Sequence, residues 1–132
     1  MPRTDRKTAK TQVLIVDDDF TTRGLLSEVL VTHGYEVCVA PRAADVRAFF
    51  EAIHPDVVLL DWKLPDGNGI ELLPEIKRHW PQTQVVMISG FATEDVALEA
   101  AQRGAFRFLT KPFYVDELLT AVKEAGEQGP QA

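Results

Sequence analysis

The chain alternates short, dense apolar runs with longer segments in which apolar residues recur every three to four positions. The runs VLIV (13–16), YEVCVA (35–40), DVVLL (56–60), QVVMIS (84–89) and AFRFL (105–109) are short and rich in Val, Ile, Leu and Phe, which predicts strands. Several are apolar on consecutive residues, as strands covered on both faces of a parallel sheet should be. Between them, Leu25, Leu26, Val29 and Leu30 predict one apolar helix face, Val46, Phe49, Phe50 and Ile53 a second, and Val115, Leu118, Leu119 and Val122 another. Gly34 and Gly104 fall where helices would end, and Thr93 is an expected N-cap. A third helix is expected around residues 69–79, where Pro74 removes a backbone donor and should kink the helix or delay its start.

Five strands alternating with five helices read as (βα)5, an α/β fold with a parallel sheet and helices on both faces. In such sheets sites lie beyond the carboxyl ends of the strands, so each strand end is a place to look for chemistry. The first strand runs into Asp17, Asp18 and Asp19, the third ends in Asp61, the fourth in Ser89, and the fifth leads to Lys111-Pro112. The second ends in Ala40-Pro41 and offers nothing polar. Strands one, three, four and five are neighbours in a doubly wound sheet, so acids, a hydroxyl and a lysine converge on one edge.

Composition narrows the classes. At 132 residues, 45% apolar and 26% charged, the sequence has the size and make-up of one globular domain. No run approaches the ~18 apolar residues of a membrane span. The start, MPRTDRKTAK, has charge without an apolar stretch behind it; residues 1–10 are expected to form a disordered tail, and 127–132 a polar tail or the start of a linker, around a domain at 11–126. A net charge of −6 argues against a domain that binds nucleic acid through its own surface. The single cysteine, Cys38, excludes an internal disulfide, fits a cytoplasmic location and is expected as a small buried side chain.

The converging groups exclude several sites. Carboxylates stand where a dinucleotide fold needs a glycine turn for its pyrophosphate. Counted from Asp61, an EF-hand loop would place Lys63 and Leu72 where ligands belong. His33, His54 and His79 lack ligand spacing and are expected in solvent, and DGNG at 66–69 reads as a turn leading into a helix. A hard-cation site remains, with Asp61 as the natural nucleophile towards phosphorus, opposite the acid pair, and a lysine to neutralise charge.

The stretches VLIVDDD, PDVVLLDWKLPDGNGIELL, VVMISGFA and FRFLTKPF resemble, in order and spacing, the four signature stretches of the receiver domain of two-component response regulators, over about residues 12–126. The resemblance implies a flavodoxin-like sheet in the order 2-1-3-4-5 and makes Asp61 the phosphoacceptor. Asp17 and Asp18 become the acid pair, Asp18 the more direct metal ligand, with Asp61 and the backbone carbonyl of Lys63 completing the protein's ligands to Mg2+ (or Mn2+). Ser89 and the N–H of Gly90 would bind phosphoryl oxygens, Lys111 would pair with another, Lys111-Pro112 would be cis, and Phe108 would be the aromatic switch. The implied partner is a sensor histidine kinase or phosphotransfer protein. The implied consequence is a changed surface on the fourth helix, fifth strand and fifth helix, read by a dimer partner or an output domain. Lys63 and Phe91, each two residues beyond a site residue, would tune hydrolysis.

A rival comes from D-x-D-x-T at 17–21, which resembles the nucleophile motif of haloacid-dehalogenase-type phosphatases. There Asp17 would be phosphorylated and Asp19 would be the general acid. That fold also needs a late acidic pair at a strand end. Here Asp116 and Glu117 open a helix instead, and Asp61 would go unexplained.

Overall fold

Residues 10–90 and 93–128 are described by the structure, a computed structural model. Along the chain run β1 (Gln12–Val16), α1 (Phe20–Thr32), β2 (Glu36–Ala40), a 3-10 turn (Ala43–Asp45) and α2 (Val46–Ile53). Then come β3 (Val57–Asp61), a small ribbon pairing Lys63–Leu64 with Gly67–Asn68, and α3 (Gly69–His79). The chain continues through β4 (Gln84–Ser89), α4 (Glu94–Gln102), β5 (Arg107–Thr110) and α5 (Val115–Glu127). The five main strands pair in parallel in the order β2-β1-β3-β4-β5, as expected of a doubly wound (βα)5 sheet.

Strand alternation sorts the apolar runs into two cores. Val13, Ile15, Val57, Leu59, Val86 and Ile88 meet Leu26 and Leu30 of α1 and Leu118, Ala121, Val122 and Ala125 of α5. Leu14, Val16, Val58, Leu60, Val85 and Met87 meet α2 and α3 through Val46, Phe50, Ile70, Leu73 and Ile76, and α4 through Ala100. The central strands β1, β3 and β4 are therefore apolar on both faces, which is why they lack an alternating pattern. No helix among the described residues is long and apolar enough to cross a membrane.

Local signals account for the helix ends. Asp19 caps α1, its carboxylate accepting the Thr22 N–H at 2.8 Å, and Thr93 caps α4 by accepting from Val96. Gly34 and Gly104 follow α1 and α4 with φ of 94° and 110°, a conformation that glycine adopts without a Cβ penalty. The three histidines are exposed.

Three expectations need correction or narrowing. Leu25 is 60% exposed instead of sharing the α1 core face, because it lies about 100° around the helix from Leu26 and the buried stripe is centred on Leu26 and Leu30. Of the two effects expected of Pro74, a delayed start is absent, because α3 spans Gly69–His79 as expected, with the proline exposed while Ile70, Leu73 and Ile76 hold the other face in the core. Cys38 is half-buried, since β2 is an edge strand. Residues 1–9, 129–132 and Phe91 lie outside the described residues, and α5 extends one residue past the expected boundary at 126.

Gly69 is where α3 is pressed against the end of β3. A Cβ there would come within 2.1 Å of the Asp61 carbonyl oxygen, and the Gly69 N–H donates to the Trp62 carbonyl at 2.6 Å. Gly24, exposed inside α1, has no atom within 4 Å of such a Cβ. The same substitution should therefore act with opposite signs. Gly69→Ala should destabilise by about 2 kcal/mol or more through backbone overlap, and Gly24→Ala should stabilise by about 0.5–1 kcal/mol through helix propensity. Urea unfolding of the two variants checks this; an unchanged midpoint for Gly69→Ala would refute the close-approach argument.

Candidate functional site

Beyond the carboxyl ends of β1, β3 and β5 the chain assembles an ionic cluster. Val16 pairs with Leu60, so the next residues on these adjacent strands, Asp17 and Asp61, emerge side by side. Carboxylate oxygens of Asp17, Asp18 and Asp61 lie within 4.8 Å of one another. Asp17 is 2% exposed and Asp61 9%, while Asp18 is open to solvent. The donors are hard anionic oxygens, one of them solvent-facing, which suits a divalent cation that keeps part of its water.

Lys111 reaches into this cluster from β5. Its Nζ stands 3.4 Å from Asp17 Oδ2 and 3.5 Å from Asp61 Oδ2. The Lys111 N–H donates to the Ser89 carbonyl at 2.8 Å, which fixes the lysine against β4 at its backbone, and the Lys111–Pro112 bond is cis. Strand parity explains the meeting: Asp61 continues the row of Val57 and Leu59, and Asp17 and Lys111 continue those of Ile15 and Leu109, all on the α1/α5 face.

The acids are held differently. Asp17 Oδ1 accepts the Asp19 N–H at 2.9 Å, which curls the chain towards α1. Asp19 turns into its capping role, and the Thr22 hydroxyl and N–H hold its carboxyl below the usual carboxylate range. Asp61 is shifted the other way. Burial is the main cause and the nearby charge of Asp17 the second, with Lys111 and the Lys63 N–H opposing them. The three aspartates after β1 are thus divided, two facing the cluster and one ending it.

Ser89 is buried at the end of β4, on the parity of Val85 and Met87, so it belongs to the opposite face from Asp61. Phe108 pairs with Met87 and is half-buried against that same core. Gly90 is exposed just past the strand, and Lys63 is exposed on the loop after Asp61. Two residues not singled out from sequence also contribute. Arg23 donates to the Asp17 carbonyl at 3.4 Å from the first turns of α1. Asp66, read only as part of a turn, binds two backbone amides across the structure. Neither signal is local: each partner is defined only once the strands are paired.

A family model described as the response regulator receiver domain matches residues 13–123. The regulatory protein AtoC of Escherichia coli is 38% identical over 118 residues, which cover 89% of this chain and 26% of AtoC. The chain thus spans about a quarter of that relative's length. A CheY-like receiver domain protein from Methanospirillum hungatei superposes with a TM-score of 0.84 at 32% identity, covering 91% of this chain and 97% of that one. The beryllofluoride-activated NtrC4 receiver domain, a dimer in solution, gives 0.84 at 33% identity, covering 89% and 97%. These matches give no support to the phosphatase reading of Asp17. With its five-stranded parallel sheet, its acidic cluster at the strand ends and this likeness along most of its length, the chain belongs to the response regulator receiver domain family.

Proposed function

We propose that this domain accepts a phosphoryl group on Asp61 from the phosphohistidine of a sensor histidine kinase or phosphotransfer protein in the cytoplasm. The observation that carries this reading is the placement of Asp61 within 4.8 Å of the Asp17 and Asp18 oxygens and 3.5 Å from the Lys111 ammonium. An Asp61 oxygen forms the new bond to phosphorus as the phosphorus–nitrogen bond of the donor breaks, its electron pair staying with the imidazole nitrogen. Lys111 pairs with one phosphoryl oxygen, and the Ser89 hydroxyl and Gly90 N–H donate to others. Asp17, Asp18, Asp61 and the Lys63 carbonyl would hold Mg2+ (or Mn2+). The bound ion would neutralise both the acids and the transferred group.

The added group carries close to −2 charges, enough to draw Ser89 and its loop inwards and let Phe108 turn into the space left. The surface of α4, β5 and α5 changes as a result. A dimer partner or an output domain following a receiver at 11–126 reads that change. The domain also hydrolyses its own acyl phosphate, with Lys63 and Phe91 tuning the rate.

Asp61→Asn should abolish acyl-phosphate formation with acetyl phosphate and Mg2+, read as intact mass. Labelling that survives in this variant but vanishes in Asp17→Asn would move the nucleophile to Asp17.

Millimolar Mg2+ should raise the melting temperature of the wild type. At a tenfold excess over Kd the stabilisation is about 1.4 kcal/mol, a shift of a few degrees. An unchanged melting temperature would refute the metal site.

Without metal, charge burden dominates. The Asp61 pKa is raised on folding, so the folded state favours the protonated form, and ionisation costs stability once pH exceeds the ordinary value of 3.8. In metal-free buffer at pH 7, Asp61→Asn should therefore melt above the wild type. The gain should vanish as pH falls below about 4, where the carboxyl is protonated in both folded and unfolded chains. A melting difference that does not vary with pH would sink this account.

A further inference from the structure

The loop after Asp61 carries a backbone carbonyl wanted at the metal site, yet it has little core to hold it. Pro65, Asp66, Gly67 and Asn68 are all exposed, and only Leu64 is buried. The ribbon has just two residue pairs, Lys63 with Asn68 and Leu64 with Gly67. A ribbon so short does not keep its shape unaided.

At its tip, Asp66 supplies an anchor. Oδ1 accepts the Ala43 N–H at 2.9 Å and Oδ2 the Ala44 N–H at 3.0 Å. These donors open the 3-10 turn that leads into α2, where amides have no helical partner. Neither flanking residue provides a cap of its own. Arg42 and Asp45 make no side-chain capping bond, and they pair with each other at 3.2 Å instead. One carboxylate, 22 and 23 residues further along the chain, thus spends both oxygens joining the ribbon to the amino end of α2. The two amide bonds also hold its carboxyl below the usual carboxylate range, so the clasp is ionised at neutral pH.

We propose that Asp66 is a positioning residue, whose clasp on Ala43 and Ala44 holds the ribbon so that the Lys63 carbonyl is presented to the divalent cation beside Asp61. The proposal rests on the metal-site reading above. A residue that only caps α2 would add stability and leave metal affinity alone, and this separates the two roles.

The test is isothermal titration of the domain with Mg2+, paired with melting curves in metal-free buffer and the rate of phosphorylation by acetyl phosphate. Asp66→Ala should weaken Mg2+ binding about tenfold, in the range for residues that orient metal ligands. It should slow phosphorylation at low Mg2+, with recovery at saturating Mg2+. Asp66→Asn keeps one carbonyl acceptor and should fall between Asp66→Ala and the wild type. Arg42→Ala, which disturbs the same helix end and leaves the clasp in place, should lower the melting temperature without changing Mg2+ affinity. The proposal is overturned if Asp66→Ala melts earlier but binds Mg2+ as the wild type does. A wild-type domain without any Mg2+ response would overturn the metal-site reading instead.

Discussion

The interaction on which the site depends is the Lys111 ammonium set between Asp17 and Asp61. Two carboxylates about 4 Å apart near a protein surface repel by about 4 kcal/mol. The parallel pairing of β1 with β3 leaves them no room to separate, because Val16 and Leu60 are locked side by side one residue earlier. One ammonium cannot neutralise three carboxylates, and burial keeps water from sharing the load at Asp17 and Asp61. The fold therefore carries a standing charge imbalance at one edge. The two apolar cores, with β1, β3 and β4 almost wholly excluded from water, hold the sheet together against it. In the proposed function a divalent cation would relieve that imbalance, and the phosphoryl group, which adds negative charge, would depend on both the ion and Lys111.

The strand ends also divide the site between the two faces of the sheet. Asp17, Asp61 and Lys111 follow the row packed on α1 and α5, while Ser89 and Phe108 follow the row packed on α2, α3 and α4. A phosphoryl group on Asp61, as proposed, would sit at the rim between the two rows. In the proposed switch, movement of Ser89 towards that group would be movement of the β4 end, and Phe108 lies on the neighbouring strand with Met87 as its register partner. Phe108 is only half-buried, so it already stands at the edge of the core. Charge introduced on one face would thus have a short mechanical route to the other.

The sequence made the sheet and its acidic edge legible because both are written in short-range patterns. Runs such as VLIV and VVLL can only be buried on both sides, and the first polar residue after each marks the strand end where a site can form. Thr93 is legible as a capping residue because a cap is a local event. The expected α1 face fails at Leu25 because four apolar residues in six positions span more of the helix than one sheet face can cover. Pro74 sits inside α3 because propensity yields when Ile70, Leu73 and Ile76 are all buried. Asp66 and Arg23 stayed hidden for another reason. Their partners are backbone groups brought near by topology, and no spacing along the chain encodes them.

The loop from Asp61 to Gly69 shows how a residue can be fixed without being enclosed. Burial would have immobilised it, but a buried loop would also close the acidic edge to solvent. The chain instead restrains this segment at three points. The Lys63 N–H bonds the Asp61 carboxylate, Asp66 grips the amides before α2, and the Gly69 N–H bonds the Trp62 carbonyl, in a contact too close for any side chain. Each restraint acts through hydrogen bonds or excluded volume at the surface, so the loop stays open to solvent. Order at this edge comes from amide geometry, and the apolar cores are left to hold the sheet against its own charge.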